Sequence, residues 1–288
     1  MGMNVLVSTN DAYVMPLAVL LQSLFETNPG HHVVYLLCND LSADNRSLLA
    51  GMAEAAGSEL VAVEVAEDAF RGLPTKDYIS RETYYRLLAA ELLPADVSRV
   101  LWLDADMVVC GPLDELYERD MGGKAVVACP HGSLMRPQIS AGVAALGMEH
   151  PEAYFNAGMM LCNLDAWRAR DVPGRIRAAL SQPRELQFPG QDLTNLVFDG
   201  QVITEDWRRW DCMTHSILPE DVPELREVAR IVHFVGRAKP WKFTDIPLGD
   251  VWMGFYQRSP FGTRPLRRTS LAMLRKLYER TGRLGELA

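Results

Sequence analysis

Two aspartates separated by one alanine, Asp104-Ala105-Asp106, follow directly on the apolar run Val100-Leu101-Trp102-Leu103. Side chains alternate along a strand, so this spacing predicts both carboxylates on one side and Ala105 on the other. Two like charges that close are costly unless a cation lies between them. A hard divalent metal bridging to phosphate oxygens meets that need, and the carboxyl end of a strand is where open α/β sheets bind ligands. A pair of solvated loop acids has the same local pattern, so the pair alone does not name a reaction.

The elements that must position these acids can be read along the chain. Met3 to Ser8 reads as a short buried strand, and Leu17, Leu20, Leu21 and Leu24 then recur at helical spacing until Asn28-Pro29-Gly30. His32 to Cys38 is a second strand, Ser42 can cap a helix carrying Leu48, Leu49 and Met52, and Leu60 to Val65 is a third strand. Thr75 to Leu92 reads as a helix stopped by Pro94. Strands are expected again at Val126 to Cys129, Phe155 to Leu164 and Ile231 to Val235, where the last closes the sheet, with a helix over Gln191 to Phe198. Strand and helix alternate, which predicts an α/β fold with a doubly wound, mostly parallel mixed sheet. Residues 130–152, with several Gly and Pro, form the least regular internal segment and suit a substrate lid.

Composition narrows the class. With 48% apolar and 23% charged residues, the 288-residue chain can bury a large core, and disorder is excluded. Its net charge of −8 is unevenly spread: from Pro260 to Ala288 seven basic residues face two acidic ones, leaving −13 on the remainder. An acidic body excludes nucleic acid as its natural partner. From Arg267 to Arg280, Leu271, Leu274, Leu277 and Tyr278 share one helical face and Arg268, Arg275, Lys276 and Arg280 the other. Such a stretch can lie on anionic lipid or dock on the body with its basic face in water. The expected division is a catalytic domain over 1–258 and a basic amphipathic tail over 259–288. Cys38, Cys110, Cys129, Cys162 and Cys212 are scattered, and no charged leader or span-length apolar run is present. A reducing, cytoplasmic location is the expectation, with the tail permitting peripheral contact at the inner face of the membrane.

Asp104-Ala105-Asp106-Met107-Val108 also fits the nucleophile loop of haloacid-dehalogenase-like phosphatases. That loop ordinarily follows the first core strand, whereas three strands precede it here. Several distant segments agree better with another family. Thr83-Tyr84-Tyr85-Arg86-Leu87, Leu101-Trp102-Leu103-Asp104-Ala105-Asp106, Tyr154-Phe155-Asn156-Ala157-Gly158, Gly190-Gln191-Asp192-Leu193-Thr194-Asn195 and His233-Phe234-Val235-Gly236-Arg237-Ala238-Lys239-Pro240-Trp241 occur in order. Over roughly residues 3–245 the chain resembles glycosyltransferase family 8, retaining enzymes that include bacterial lipopolysaccharide glucosyl- and galactosyltransferases.

The resemblance implies a GT-A-type fold, a UDP-hexose donor, a glycan acceptor and a metal, typically Mn²⁺ with Mg²⁺ also possible. It assigns the metal to Asp104, Asp106 and His233, a donor set suited to Mn²⁺. Lys239 would balance the charge of the departing diphosphate, and Gly236 would let the backbone approach it. Arg86 and Ala105 fall with the donor-binding residues, Asn156 with the sugar hydroxyls, and Gln191 near the anomeric carbon. Asp192 would orient the sugar or serve as a nucleophile. Ser8, Thr9, Asn10, Asp11 and Tyr13 would receive the nucleotide, with Tyr13 stacking on uracil. The chain departs from the family at two places: Asn10 and Gly190 stand where acids are common. An amide at position 10 can still pair with a pyrimidine. The missing acid at position 190 leaves the hexose open and raises a second reading, a nucleotide-sugar binder that no longer transfers.

Overall fold

The computed structural model describes residues 2–66, 82–131, 137–182 and 185–274. Its centre is a seven-stranded sheet in the order β3-β2-β1-β4-β7-β6-β8. The strands are β1 Asn4–Ser8, β2 Val33–Cys38, β3 Glu59–Glu64, β4 Arg99–Leu103, β6 Val126–Pro130, β7 Phe155–Asn163 and β8 Val202–Thr204. Strands β3, β2, β1 and β4 run parallel, while β7 lies antiparallel to both β4 and β6. Alternation within the strands produces two buried faces. Val5, Val7, Leu101 and Leu103 join the core under the helices Val14–Thr27 and Gly249–Arg258, while Leu6, Val100 and Trp102 join the one against Leu164–Arg168 and Val172–Ser181. Burial on both sides is why these strands read as unbroken apolar runs.

A smaller sheet holds β5 Met107–Val109, β10 Ile231–His233 and β9 Cys212–Met213 in the order β5-β10-β9. The expected last strand therefore leaves the main sheet, and Val235 is not part of it. The reason is β5, a three-residue strand too short to register as a periodic pattern, which pairs antiparallel with β10. The aspartates also differ from expectation. Strand β4 ends at Leu103, and Asp104-Ala105-Asp106 form a tight turn closed by Met107 N–H donating to Asp104 C=O at 3.2 Å. The two acids converge because the chain reverses, rather than through strand pleating.

Other local expectations shift for identifiable reasons. Within 130–152 a helix forms over Pro137–Ala145: Pro137 suits a first helical turn, and Gly147 leaves the helix with φ +70°. The 75–92 helix is described only from Glu82, where it is broken into short turns up to Leu92; its earlier part lies outside the described residues. Ser42 occupies the N-cap position of Ala43–Ala55 without a side-chain cap bond, and its hydroxyl instead donates to Asp11 at 3.0 Å.

The segment after 258 is tied to the body as far as it is described. Phe243 bridges Thr269, Arg268 donates to the Phe243 carbonyl, and Asp245 accepts from the N–H groups of Leu271 and Ala272. Leu266 and Leu271 are partly buried against the main core. The amphipathic pattern beyond residue 274 lies outside the described residues. Among those described, no helix is long and apolar enough to cross a membrane.

Candidate active site

The carboxyl ends of β1 and β4 lie side by side, with Val5 opposite Leu101 and Leu6 opposite Trp102. The first residues of antiparallel β7 arrive at the same edge, where Asp104 N–H donates to the Gly158 carbonyl at 2.8 Å. The small sheet supplies the third component. His233 pairs with Met107, and Phe234 N–H donates to the Asp106 carbonyl at 3.0 Å, so β10 is stitched to the acidic turn through its backbone.

Ligand atoms of Asp104, Asp106 and His233 lie within 4.8 Å of one another. His233 Nε2 is 3.2 Å from Asp106 Oδ1, and its Nδ1 is 2.8 Å from Asp211 Oδ1. Lys239, itself buried, ion-pairs with Asp106 and donates to the Phe234 carbonyl at 2.7 Å. Arg86 is buried against Asp104 Oδ1 at 3.1 Å, bonds the Ala157 carbonyl, and lies over the Trp102 ring at 4.7 Å. Trp102 Nε1 donates to the same Asp104 oxygen at 2.9 Å. Two carboxylates and an imidazole with converging atoms suit a hard or borderline divalent ion such as Mn²⁺ or Mg²⁺.

The electrostatics follow from this crowding. Burial acts to raise the Asp106 carboxyl, but Lys239 and then His233 outweigh it and hold the group well below the usual carboxylate range. Burial raises the Asp104 carboxyl against the pull of Arg86, with repulsion from Asp106 adding to the rise. Burial disfavours the His233 imidazolium, yet Asp211 and Asp106 outweigh it and push its pKa up to about 10. Lys239 and Arg86 thus each face one acid of the turn, Asp106 and Asp104 respectively.

The residues expected around the donor gather at this edge to different degrees. Asn156 Oδ1 accepts from Gly158 N–H at 2.8 Å, beside the His233 ring. Gln191 accepts from Ala157 N–H at 3.4 Å and donates to the Tyr154 hydroxyl at 2.8 Å. Asp192 is buried, with one oxygen accepting from Tyr154 at 2.5 Å and the other from Phe188 N–H at 2.8 Å. Tyr13 is 40% exposed and meets Trp241 edge-on at 6.1 Å, and Trp241 lies 5.7 Å from the Lys239 ammonium. Ser8 ends β1 and Thr9 is buried just beyond it. Asn10 accepts from Ala12 N–H, capping the turn that leads to Tyr13. Asp11 points elsewhere, accepting from Ser42 and from Asn45 at 2.8 Å at the start of the next helix. Gly236 has φ +79°, a conformation that accounts for glycine there, and Ala105 is nearly buried within the turn.

Sequence reading missed Asp211, and assigned no role to Trp102 or Tyr154. A lone acid inside Trp210-Asp211-Cys212-Met213 was the available signal, since a carboxylate in an apolar run needs a partner. Gly158 also has a role that its motif did not reveal. A Cβ there would lie 2.3 Å from Cε1 of His233 and 2.8 Å from Oδ1 of Asn156. The ring is held at both nitrogens and cannot easily yield. Gly158→Ala is thus expected to displace the imidazole, costing about 1–3 kcal/mol by overpacking and at least about tenfold in activity. A thermal melt with a transfer assay checks both.

The sheet order and the superposition on a solved relative define a GT-A-type fold. A family model described as Glycosyl transferase family 8 matches residues 4–245, and the chain belongs to that family. It is 24% identical to glycosyltransferase GlyF of Streptococcus pneumoniae over 88% of this chain and 61% of GlyF. It is 22% identical to the lipopolysaccharide glucosyltransferase WaaO of Escherichia coli, over 88% of this chain and 77% of that protein. The chain spans about 60% of the length of the first curated relatives it matches. Among solved structures, the galactosyltransferase LgtC, crystallised with donor and acceptor sugar analogs, superposes with a TM-score of 0.78 at 26% identity. That match covers 91% of this chain and 98% of LgtC. Family membership removes the phosphatase reading, and the acidic turn indeed follows the fourth strand of the chain.

Proposed function

We propose that this protein transfers a hexose, glucose or galactose, from a UDP-sugar to a glycan acceptor with retention of configuration, in lipopolysaccharide or another cell-surface glycan. One observation carries the reading: two carboxylates and an imidazole from distant parts of the chain converge beside a buried lysine at the ligand-binding edge of the sheet. The names of the relatives support the acceptor class, since glucosyl- and galactosyltransferases of lipopolysaccharide recur among them.

Asp104, Asp106 and His233 would hold Mn²⁺, with Mg²⁺ as a substitute. When bound, that ion supplies positive charge against which a departing UDP is stabilised. The chain's own groups do the rest. Lys239 carries a second positive charge to the same place. Tyr13, edge-on to Trp241, offers a half-exposed aromatic face for a uracil ring. Gln191, held between Tyr154 and the Ala157 amide, and Asn156, held by the Gly158 amide, are preorganised to bond sugar hydroxyls. Both oxygens of Asp192 are already engaged, which supports a role for it in fixing Tyr154 and Gln191.

The test is a thermal-shift screen of nucleotide sugars with Mn²⁺ or with EDTA, followed by assay of hexose release. A UDP-hexose at a hundred times its Kd with Mn²⁺ should stabilise the protein by about 2.7 kcal/mol, and by clearly less at the same concentration in EDTA. Slow release of hexose without acceptor should accompany it. Equal shifts in EDTA would remove the metal from the reading, and binding with no release would leave a nucleotide-sugar-binding protein.

A further inference from the structure

Asp211 lies outside every motif that marks the family in this chain, and its side chain is completely buried. It stands between the helix Trp207–Trp210 and β9, and β9 runs parallel to β10 with Met213 opposite His233. Its Oδ1 sits 2.8 Å from His233 Nδ1, while Oδ2 has no hydrogen-bond partner among the described residues. Burying a carboxylate costs several kcal/mol and is tolerated only where it holds a hydrogen-bonded cationic or polar partner. Among the described residues, the one group this carboxylate holds is the imidazole whose other nitrogen faces Asp106.

We infer that Asp211 is the positioning residue for His233, fixing its proton on Nδ1 and its ring plane so that Nε2 is offered to a divalent ion that Asp104 and Asp106 would also hold. This rests on the proposed metal site and deepens it. A histidine that ligates a metal generally donates its other N–H to a carboxylate or carbonyl, which selects the tautomer and strengthens the ligand. Here three constraints act on one ring. Asp211 holds Nδ1, Asp106 faces Nε2, and Gly158 leaves room for Cε1. An imidazole kept only for packing needs no buried charge behind it. Asp211 touches neither substrate nor metal, so its effect passes entirely through His233.

The experiment uses the full chain and titrates UDP by calorimetry in EDTA and at a series of Mn²⁺ concentrations. The half-saturating Mn²⁺ is read for the wild type, Asp211→Asn, Asp211→Ala and His233→Ala. Loss of a supporting group behind a metal-binding histidine typically weakens metal affinity 10–100-fold. Asp211→Asn, whose amide oxygen can still accept from Nδ1–H, should raise the half-saturating Mn²⁺ about tenfold, and Asp211→Ala should raise it by about a hundredfold. UDP affinity in EDTA should not move for either, a separation that damage to the fold would not produce. If Asp211→Ala fails to fold, the asparagine variant alone decides. Wild-type metal dependence in Asp211→Asn, alongside its loss in His233→Ala, overturns the positioning role and leaves the metal site intact. Unchanged dependence in His233→Ala, or none in the wild type, overturns the metal site and this inference with it.

Discussion

Asp106→Asn is expected to reduce hexosyl transfer by about 10²–10³-fold and to remove the dependence of UDP binding on Mn²⁺, with little change in melting temperature. The asparagine keeps the shape of the side chain and can still accept from Lys239, so the fold should survive. What it removes is the charge of one of the two carboxylates of the turn, against which Lys239 and His233 are both buried. Asp106→Ala should behave differently. It leaves Lys239 buried without its carboxylate partner, and breaking a buried pair in this way costs about 3–5 kcal/mol. Steady-state transfer with saturating donor, calorimetric UDP titration with and without metal, and thermal melts of both variants separate the two effects. Activity of Asp106→Asn within tenfold of wild type would mean that the acidic turn does not serve the reaction.

The second large effect is expected at Arg86. Its side chain is 95% shielded, and its guanidinium satisfies Asp104 and the Ala157 carbonyl together and covers the face of Trp102. Truncation to alanine opens a cavity and leaves the Asp104 carboxylate with Trp102 Nε1 as its remaining side-chain donor among the described residues. Asp104 retains some contact with solvent, which places the cost near the lower end for a buried pair, about 3 kcal/mol. For a domain of this size that corresponds to a fall in Tm of roughly 6–12 °C. Arg86→Lys keeps the charge but neither the fork geometry nor the stacking on Trp102, so it should recover only part of the loss. A lysine variant melting at the wild-type temperature would show that charge alone matters there.

Much of this architecture was readable before any coordinates. The runs Val5-Leu6-Val7, Val34 to Cys38 and Val100 to Leu103 read as buried parallel strands because each is apolar on both faces, and both faces are covered. Asp104 and Asp106 were nominated from their spacing and His233 from the family resemblance, and the structure brings their ligand atoms together. What escaped was short or non-local. Strand β5 spans three residues, β9 two, and neither carries a period. Gly147 and Pro137, taken as signs of irregularity, instead mark the two ends of a helix.

Local chemistry, then, was decided along the chain: which stretches are apolar enough to be covered twice, where acids interrupt them, and which residues can hold a cation. Partnership was decided only in three dimensions. Asp11 belongs to Ser42 and Asn45, and Asp211 to His233, because hydrogen bonds depend on distances of about 3 Å that no spacing in sequence specifies. The turn at Asp104 and the pairing of β5 with β10 bring residues more than a hundred positions apart to one point, and folding alone supplies that proximity.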